Sequence, residues 1–393
     1  MPNSPDVVIA GGGVMGASLA YWLTRFSPKL HVRVIEKDPT YAQAATALSV
    51  ASIRMQFSNA VNVAISQFGI GFIRNFQAEL GHDVGIPTLG FKENGYLFLC
   101  GTDSAATTMR EVASMQTALG ADTQLLNAAD VVARFPWMSV HDVVLGSFGN
   151  RDEGWFDNMG LLSGFRAAAR AQGVEFIHDT VTALCRDGAH VTGVVAQQTG
   201  RHSAGTVVCA MGTRAGALLQ MAGEPWPVEP RKRTVFVIDA PDARYPDAPL
   251  LVDHTGFYMR PEHGHWITAT VPSHDPAVDP DDFTPNHQEF EDVIWPLIYA
   301  RVPGFAAAKV VRCWVGQYDY NLLDQNAILG AHPSLPGLYM MNGFSGHGLQ
   351  QAPAVGRGVA ELILTGQYQT LDLSELGVER ILQGRPFLER AVV

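Results

Sequence analysis

The sequence predicts an α/β fold in which a dinucleotide-binding unit is interleaved with a second, strand-rich domain. One observation is the N-terminal segment DVVIAGGGVMGASLAYWL, where a short apolar strand runs into glycines and then into an apolar helix. Another is the return of helix-then-strand patterns in NMGLLSGFRAAARAQGVEFIHD and GTVVCAMGTRAG. The third is a group of strand-like segments between these blocks, including KRTVFVID, HWITATV and KVVRCWVGQYDY. Together they predict an α/β domain with a mixed or antiparallel sheet inserted into it.

The N-terminal glycines have the spacing of a Rossmann-type dinucleotide-binding turn. Gly11, Gly13 and Gly16 follow the first strand, and the second strand, VRVIEK, reaches Glu36 twenty residues after Gly16. In such a βαβ unit the three glycines give the tight turn, the close approach to a pyrophosphate and the close helix–strand packing. The acid accepts hydrogen bonds from ribose hydroxyls and disfavours a 2′-phosphate, so the unit predicts FAD or NAD rather than NADP.

Composition and charge exclude several classes of protein. The chain has 393 residues, 47% of them apolar and 17% charged, which indicates two structural regions with a sizeable core. A net charge of −11 disfavours nucleic acid and anionic membranes as partners. The apolar run at residues 7–23 is better explained by its glycine motif than by membrane insertion, and no other run is long enough to span a bilayer. The four cysteines contain no CxxC pair or zinc spacing, so we expect no metal and a reduced, cytoplasmic chain.

The segment pattern also predicts where the two domains begin and end. The cofactor-binding domain is expected to comprise residues 1–82, 151–227 and 331–393, and the substrate-binding domain residues 83–150 and 228–330. The last of these cofactor segments contains NGFSGHGLQQAPAVGRGVAELI, a glycine-rich loop that leads into a helix more than 300 residues after the first glycine motif. A second glycine loop so late in the chain disfavours an NAD-dependent dehydrogenase.

Three motifs together resemble the D-amino-acid oxidase superfamily of FAD enzymes, which includes glycine oxidase, sarcosine oxidase and dimethylglycine dehydrogenase. They are VVIAGGGVMGASLAYWL…VIEK, VVCAMGTRAGALL and GFSGHGLQQAPAVGRGVAELI, which stand in the family's order, and the resemblance covers nearly the whole chain. Within the superfamily, ALSVASIRMQFS, YDYNLLDQN and GHGLQQAP resemble the FAD-dependent oxidoreductase-domain subgroup, whose mitochondrial member is associated with complex I assembly. The resemblance implies FAD as the cofactor.

The resemblance gives the late glycine loop a role at the flavin. In the family this loop returns to the flavin end of FAD, and residues 346–350 can approach the ring because glycine lacks a Cβ. The helix that follows, which we expect to begin near Ala352 and Pro353, points its positive end at the flavin N1/C2=O edge. The resemblance assigns the following residues to FAD: Gly11, Gly13, Val14, Met15, Gly16, Glu36, Lys37, Thr46, Ser49, Val181, Gly212, Gly343, Ser345, Gly346, His347, Gly348, Leu349 and Gln350.

The resemblance also implies the chemistry. The family transfers a hydride from a carbon next to an amine nitrogen to flavin N5, and the resulting imine hydrolyses. A buried arginine suits a substrate carboxylate, because its planar fork binds both oxygens. Arg54 matches the carboxylate-binding arginine of monomeric sarcosine oxidase, and Arg260 in GFYMRP is a second candidate. Gln350 stands where that enzyme has a carboxylate-binding lysine, which disfavours a simple N-methyl amino acid as the substrate.

Other side chains are candidates for the substrate face. Tyr258, Tyr318 and Tyr320 fall on strands that should line it, where a ring with one polar tip suits an amine, although core packing explains them equally well. His347 either contacts the isoalloxazine ring, deprotonates a substrate ammonium or has a purely structural role.

Two positions bear on the attachment and reoxidation of the flavin. Cys313 resembles the flavinylated cysteine of monomeric sarcosine oxidase, so a covalent link there and a non-covalent FAD both stay open. The oxygen-activating lysine of that enzyme falls at Trp266, so we expect slow reoxidation by oxygen unless His347 or His265 supplies the positive charge. The electron acceptor is therefore oxygen or a redox protein. The chain is either an oxidoreductase for a secondary amine or amino acid, or a flavin-bearing assembly or scaffold protein.

Overall fold

The computed structural model describes residues 4–81, 85–86 and 88–390. Within these ranges the helices are α1 (Val14–Phe26), α2 (Ala60–Arg74), α3 (Phe76–Leu80), α4 (Asp103–Ala118), α5 (Ala128–Arg134), α6 (Asn158–Ala171), α7 (Ala215–Met221), α8 (Trp295–Arg301), α9 (Gly348–Thr365) and α10 (Val378–Leu382). The strands are β1 (Val7–Ala10), β2 (Val32–Glu36), β3 (Ser52–Ile53), β4 (Tyr96–Cys100), β5 (Thr123–Leu126), β6 (Leu145–Gly149), β7 (Gly154–Trp155), β8 (Glu175–His178), β9 (Val181–Asp187), β10 (His190–Ala196), β11 (Gly200–Ser203), β12 (Thr206–Cys209), β13 (Val228–Asp239), β14 (Leu250–Val252), β15 (Phe257–Glu262), β16 (His265–Thr270), β17 (Lys309–Asn321), β18 (Ile328–Ala331) and β19 (Leu338–Asn342).

A six-stranded sheet forms the centre of the first domain, in the order β18-β19-β12-β1-β2-β8. Its strands are parallel apart from β18, which runs antiparallel to β19. The central strand β1 reads VVIA and is buried throughout, as expected for a parallel strand covered on both faces. Its Ile9 face packs on α1, α6 and α9, and its Val8 face packs on α7 and the small β9-β10-β11 sheet. The predicted Rossmann-type α/β domain is confirmed.

The second sheet has eight strands in the order β17-β13-β16-β15-β14-β4-β6-β5. Neighbouring strands are antiparallel apart from β14 and β4, so the predicted mixed sheet is also confirmed. One face carries Phe236, Met259 and Trp266 into a core shared with α8, while the opposite face carries Val235 and Ile267. The two faces alternate along each strand, and only the second one is turned toward the first domain.

The two sheets draw on alternating parts of the chain. Strands of the six-stranded sheet lie within residues 7–36, 175–209 and 328–342, and those of the eight-stranded sheet within residues 96–149 and 228–321. The domain boundaries given above remain a prediction, and the one between residues 82 and 83 lies outside the described residues. Among the described helices, none is long and apolar enough to cross a membrane.

Helices α1 and α9 pack side by side and run in the same direction. Ser18 Oγ donates to the Ala352 carbonyl at 2.7 Å, and Trp22 Nε1 donates to the Pro353 carbonyl at 3.1 Å. Helix α9 begins at Gly348, four residues before the predicted start, so that prediction is wrong. Pro353 in the second turn leaves the Leu349 carbonyl without its i+4 donor, but the helix continues to Thr365.

The α1–α9 contact depends on a missing side chain at Gly356. A Cβ at this position would lie 2.8 Å from Ser18 Cβ and would overlap the hydroxyl, so Gly356→Ala should destabilise the protein by about 1–3 kcal/mol. Gly71 in α2 is the matched control, since a Cβ there meets nothing within 4 Å. Gly71→Ala should stabilise by about 0.5–1 kcal/mol through helix propensity. Urea unfolding of the two variants checks both signs, and equal effects would contradict this account of the helix contact.

Candidate active site

A single long cavity connects the carboxyl ends of β1 and β2 with the face of the eight-stranded sheet. Strands β12 and β2 flank β1 on its two sides. Ligands of open α/β sheets bind at such a point, outside the carboxyl ends of the strands, and the cavity lies there. Of the residues predicted from the sequence, the cavity is lined by Gly11, Gly13, Val14, Met15, Glu36, Lys37, Thr46, Ser49, Arg54, Val181, Gly212, Tyr258, Tyr318, Gly346, His347, Gly348, Leu349 and Gln350.

At the carboxyl end of β1, the cavity has the backbone N–H donors and the acidic side chain of a dinucleotide site. Gly11 has φ +97°, and a Cβ there would overlap the Ala210 carbonyl, so this turn requires glycine. Helix α1 begins after Gly13, which has no side chain to cap it; Thr46 Oγ1 accepts from Val14 N at 3.1 Å, and the positive end of the helix is directed into the cavity. Glu36 lies beside this turn, where its Oε2 accepts from Gly12 N at 2.7 Å.

The late glycine loop forms another part of the cavity wall, next to the start of α1, and a buried carboxylate holds it in place. Asp319 Oδ2 accepts from the backbone N–H groups of Gly343 at 2.7 Å and Phe344 at 3.2 Å. Gly346 has φ +96°, and a Cβ there would lie 2.9 Å from the Tyr318 ring. Helix α9 starts after His347, again with no side-chain cap, so a second helix N-terminus opens on the same cavity.

These features fit FAD. An anionic pyrophosphate would satisfy the uncapped start of α1, ribose hydroxyls would donate to Glu36, and the start of α9 would face the electron-rich edge of the flavin. Three predicted FAD residues do not line the cavity. Gly16 packs against the Gly11 carbonyl, where a Cβ would overlap it, while Gly343 and Ser345 shape the loop through backbone bonds to Asp319. Their contribution is to the geometry of the turn and not to the cavity wall.

Arg54 lies at the flavin-loop end of the cavity in an aromatic surround. Its side chain is buried, and its Cζ lies 4.5 Å from the centroid of the Phe57 ring and 5.4 Å from that of Phe98. Its Nη2 is 3.2 Å from His347 Nε2, and its backbone N–H donates to Gln350 Oε1 at 2.8 Å. Aromatic rings at these distances stabilise a guanidinium and exclude water from it. The exclusion of water strengthens the attraction of the guanidinium for an anion.

His347 is electrically neutral in this environment. Burial, and then the nearby Arg54 charge, lower the pKa of His347 to about 3. Its Nε2 accepts from Arg54, so the ring neither supplies a positive charge nor offers a free nitrogen on that side as a base. Gln350 Oε1 is likewise occupied by the Arg54 N–H, so only its Nε2 is available to donate to a ligand.

The eight-stranded sheet contributes two tyrosines, Tyr258 and Tyr318, and a second arginine, Arg233, to the cavity wall. Burial, and then the charge of and hydrogen bond with Tyr318, raise the pKa of Tyr258 well above its ordinary value, so this phenol stays protonated. Arg233 makes a two-pronged ion pair with Asp275, at 2.6 and 2.8 Å, and its Cζ lies 5.1 Å from the Tyr318 ring centroid. Arg233 was missed at the sequence level, although Val235 and Val237 mark its side of β13 as buried.

Two predicted substrate residues lie outside the cavity. Arg260 donates to the Val50 carbonyl and pairs with Glu262, so its guanidinium is already committed. Tyr320 lies two residues beyond Tyr318, where its ring is covered by Arg231 at 4.9 Å. Both lie on strands that do reach the cavity, but at points past its edge, so the cavity wall gives these two assignments no support.

Trp266 and Cys313, which the sequence analysis linked to reoxidation and attachment of the flavin, face away from the cavity. Trp266 is buried in the core next to α8, where its Nε1 donates to the Ala243 carbonyl at 2.8 Å. Cys313 pairs with Phe236 of that same face, and its Sγ lies 3.6 Å from His287 Nδ1. The expectation that Trp266 replaces a cation beside the flavin is therefore wrong, and the placement of Cys313 favours a non-covalent FAD over a covalent link. A shift of one residue in a strand moves a side chain to the opposite face.

Further residues of the wall were missed by the sequence analysis. Tyr96 at the start of β4 and Asp319 of β17 both line the cavity, and burial raises the pKa of Asp319 to about 6. An acid between two aromatic residues, as in QYDYN, is a sequence signal for a buried carboxylate on β17. Among the described residues, no group of His, Cys, Asp and Glu side chains is arranged to hold a metal ion.

Comparison with known families agrees with this geometry. The profile of the family described as DAO, FAD dependent oxidoreductase, matches residues 6–362. The chain belongs to the DAO family. Its relatives within DAO include the FAD-dependent oxidoreductase domain-containing protein 1 of Xenopus laevis, at 38% identity over all of this chain and 85% of the relative, and that of Bos taurus, at 37% over all of this chain and 88% of the relative.

Solved structures with the DAO fold align over almost the whole chain. L-proline dehydrogenase from P. horikoshii has a TM-score of 0.85 at 26% identity, over 98% of this chain and all of that one. Glycine oxidase from Geobacillus kaustophilus has a TM-score of 0.80 at 22% identity, over 95% of this chain and 98% of that one. FAD is thus the cofactor of the family to which this chain belongs.

Glu36 should contribute directly to FAD affinity. Its replacement by Ala removes the acceptor for Gly12 N and for ribose hydroxyls, and the loss of charge-assisted bonds of about 1.5–3 kcal/mol corresponds to roughly 10–150-fold weaker binding. Flavin content per polypeptide after dialysis measures this effect. Glu175→Ala is the control, because Glu175 pairs with Arg33 on the surface. Full FAD retention in Glu36→Ala would refute the ribose assignment.

FAD should be held without a covalent bond. Cys313 lies on the sheet face opposite the cavity, so its thiol is not placed to attack the flavin. Acid precipitation should leave all of the flavin in the supernatant, with wild-type protein and Cys313→Ser behaving alike. Flavin that stays with the wild-type pellet but not with the variant pellet would contradict this placement.

Proposed function

We propose that this protein is an FAD-dependent oxidoreductase for a secondary amine or an amino acid. The observation that carries the proposal is Arg54, a buried guanidinium on the wall of the FAD-sized cavity, at the end closed by the flavin loop. A buried cation facing a cavity calls for an anionic ligand group, and a carboxylate matches its fork geometry. Bound FAD would supply the acceptor for a hydride from the carbon next to the substrate nitrogen.

The surrounding side chains orient such a substrate. Arg54 holds the carboxylate, Gln350 Nε2 can donate to it, and the rings of Phe57 and Phe98 exclude water from the charge pair. On the facing wall, the Tyr258 hydroxyl offers a hydrogen bond to the substrate nitrogen or carboxylate. These contacts fix the reacting carbon in one position, which is the protein's main contribution to flavin chemistry.

The amine is expected to bind in its neutral form. A nitrogen lone pair must be available for the carbon–nitrogen double bond to form as the hydride leaves. Neither titratable group next to this position is a good proton acceptor at neutral pH, since His347 has a pKa of about 3 and Tyr258 is already protonated. The imine product would then be hydrolysed by water.

The names of several relatives support this substrate class. The structural relatives include L-proline dehydrogenase, glycine oxidases and iminodiacetate oxidase, which are all named for amino acids, two of them with a secondary amine. L-Proline, glycine and iminodiacetate are therefore the first compounds to test. Oxygen or a redox protein would accept the electrons.

An anaerobic screen tests the proposal. Each compound is added to the FAD-bound protein, and the flavin absorbance near 450 nm is followed; bleaching by at least one amino acid is expected. Admission of air then shows whether oxygen is the acceptor. No bleaching across a broad amine and amino-acid panel would overturn the proposal and favour a flavin-bearing assembly or scaffold protein.

Arg54→Ala should weaken binding of the best carboxylate substrate by about 2–5 kcal/mol, because a buried charge pair is lost. An anaerobic titration of flavin absorbance gives the dissociation constant. An amine of similar size without a carboxylate is the control, and its binding should change little. If the carboxylate substrate bound equally well to Arg54→Ala, Arg54 would not be its anchor.

A further inference from the structure

A buried glutamate lies directly behind the proposed substrate arginine. Strands β3 and β7 pair antiparallel, with Ser52 opposite Trp155 and Ile53 opposite Gly154. The next position in this register places Arg54 opposite Glu153, although the two residues are 99 apart in sequence. Glu153 is 1% exposed and does not line the cavity, so it would act on a ligand without touching it, and Arg54 is the charged neighbour on the cavity wall.

The Glu153 carboxyl is held rigidly. Its Oε1 accepts from Met55 N at 2.8 Å, and its Oε2 accepts from Gln56 Nε2 at 2.8 Å. Gln56 is fixed in turn, since its Oε1 accepts from Ser147 Oγ at 2.6 Å and its Nε2 also donates to the Tyr96 carbonyl at 3.2 Å. A Cβ at Gly149 would overlap the carboxyl, so the chain leaves space for this acid.

The charged and titratable groups around Glu153 are few. Arg54 faces it from the segment after β3 and Tyr96 faces it from β4, while β6 contributes only the neutral Ser147. Burial raises the pKa of Glu153 to about 7, against the hydrogen bonds from Gln56 and Met55 and the charge of Arg54, which lower it. Burial also raises the pKa of Tyr96, so that phenol is neutral throughout the range in which Glu153 titrates.

We propose that Glu153 is a positioning residue that acts through Arg54, as the buried counter-charge that moderates the attraction of the guanidinium for a substrate carboxylate. The proposal rests on the function proposed above, in which Arg54 binds that carboxylate. An ionised Glu153 offsets the charge of Arg54, whereas a protonated Glu153 leaves the whole cation to the ligand.

The sign of the resulting pH dependence follows from linkage. Below about pH 7 Glu153 is protonated and the ligand carboxylate binds tightly; above it, the ligand competes with a second carboxylate for one arginine. Anion binding should therefore weaken as pH rises from 6 to 8. One group with a pKa near 7 allows at most about a tenfold change over that range. Binding near pH 7 should also take up a proton, because the arriving anion raises the pKa of Glu153 further.

Benzoate is a suitable probe, since it stays ionised over this range and cannot be oxidised at a carbon next to nitrogen. Its dissociation constant is measured from flavin spectral changes between pH 6 and 8 in wild-type FAD-bound protein, Glu153→Gln and Glu289→Gln. Glu289 is the matched control, a buried glutamate whose pKa burial also raises but whose charged neighbour is Arg233. We expect the full weakening in wild type and Glu289→Gln, a clearly shallower pH profile in Glu153→Gln, and up to tenfold tighter binding to Glu153→Gln than to wild type at pH 8. Asp319 also titrates in this range, and its contribution persists in all three proteins.

The outcomes separate the two proposals. Benzoate that fails to bind, or binds equally to wild type and Arg54→Ala, refutes the role of Arg54 and with it the proposed function. Benzoate that needs Arg54 but shows the same pH profile in Glu153→Gln as in wild type refutes the role of Glu153 alone. If Glu153→Gln does not fold, calorimetry of benzoate binding to wild type at pH 7 in two buffers of different ionisation enthalpy decides. Uptake of a substantial fraction of a proton supports the proposal, and no uptake overturns it.

Discussion

The parallel packing of α1 and α9 is the constraint on which the rest of the site depends. Ser18 and Trp22 tie the two helices together near their starts, and Met15 Cε lies 3.2 Å from the place of a Cβ at Gly348, so the helix N-termini are neighbours. Two positive helix ends side by side repel each other. A cofactor with negative charge near both ends offsets that cost, which explains why glycine turns and uncapped first turns occur at both ends of the chain.

Several contacts at once fix the conformation of the loop before α9, which forms part of the cavity wall. Asp319 fixes its backbone, Ser345 is held in a left-handed conformation by bonds to the neighbouring strand, and Tyr318 packs beneath Gly346. Its last residue, His347, then contacts Arg54. The proposed substrate arginine is thus connected to the proposed flavin loop by one direct contact, so the ligand group and the ring would be positioned by the same rigid element.

Local signals in the sequence predicted much of this structure, and side-chain direction was the main source of error. The βαβ unit, the mixed sheet and the late glycine loop are encoded within short windows, and all three were predicted. Trp266 and Cys313 failed because strand faces alternate with every residue, so a small alignment error reverses the direction. Arg260 and Tyr320 failed because the sequence does not tell how far along a strand the cavity extends.

Contacts between segments that are distant along the chain could not be predicted from one sequence. The register of β3 and β7 brings Arg54 opposite Glu153, and neither residue carries a local signal for the other. Arg233 is intermediate, because the buried Val235 and Val237 on its face could have marked it as an inward-pointing cation. A charged residue is buried only where another segment covers it. Arg233 is covered by a loop more than forty residues away in sequence, at Asp275.

The interleaving of the two domains also bears on how the protein matures on the ribosome. The first glycine turn is synthesised more than 300 residues before the wall at residues 341–350. Domains tend to fold from the N-terminus as synthesis proceeds, but here the nascent βαβ unit lacks α9, which covers much of its apolar face. The cofactor can therefore be enclosed only after residues 341–350 have been synthesised, and until then the exposed face of α1 is a surface for chaperones to shield.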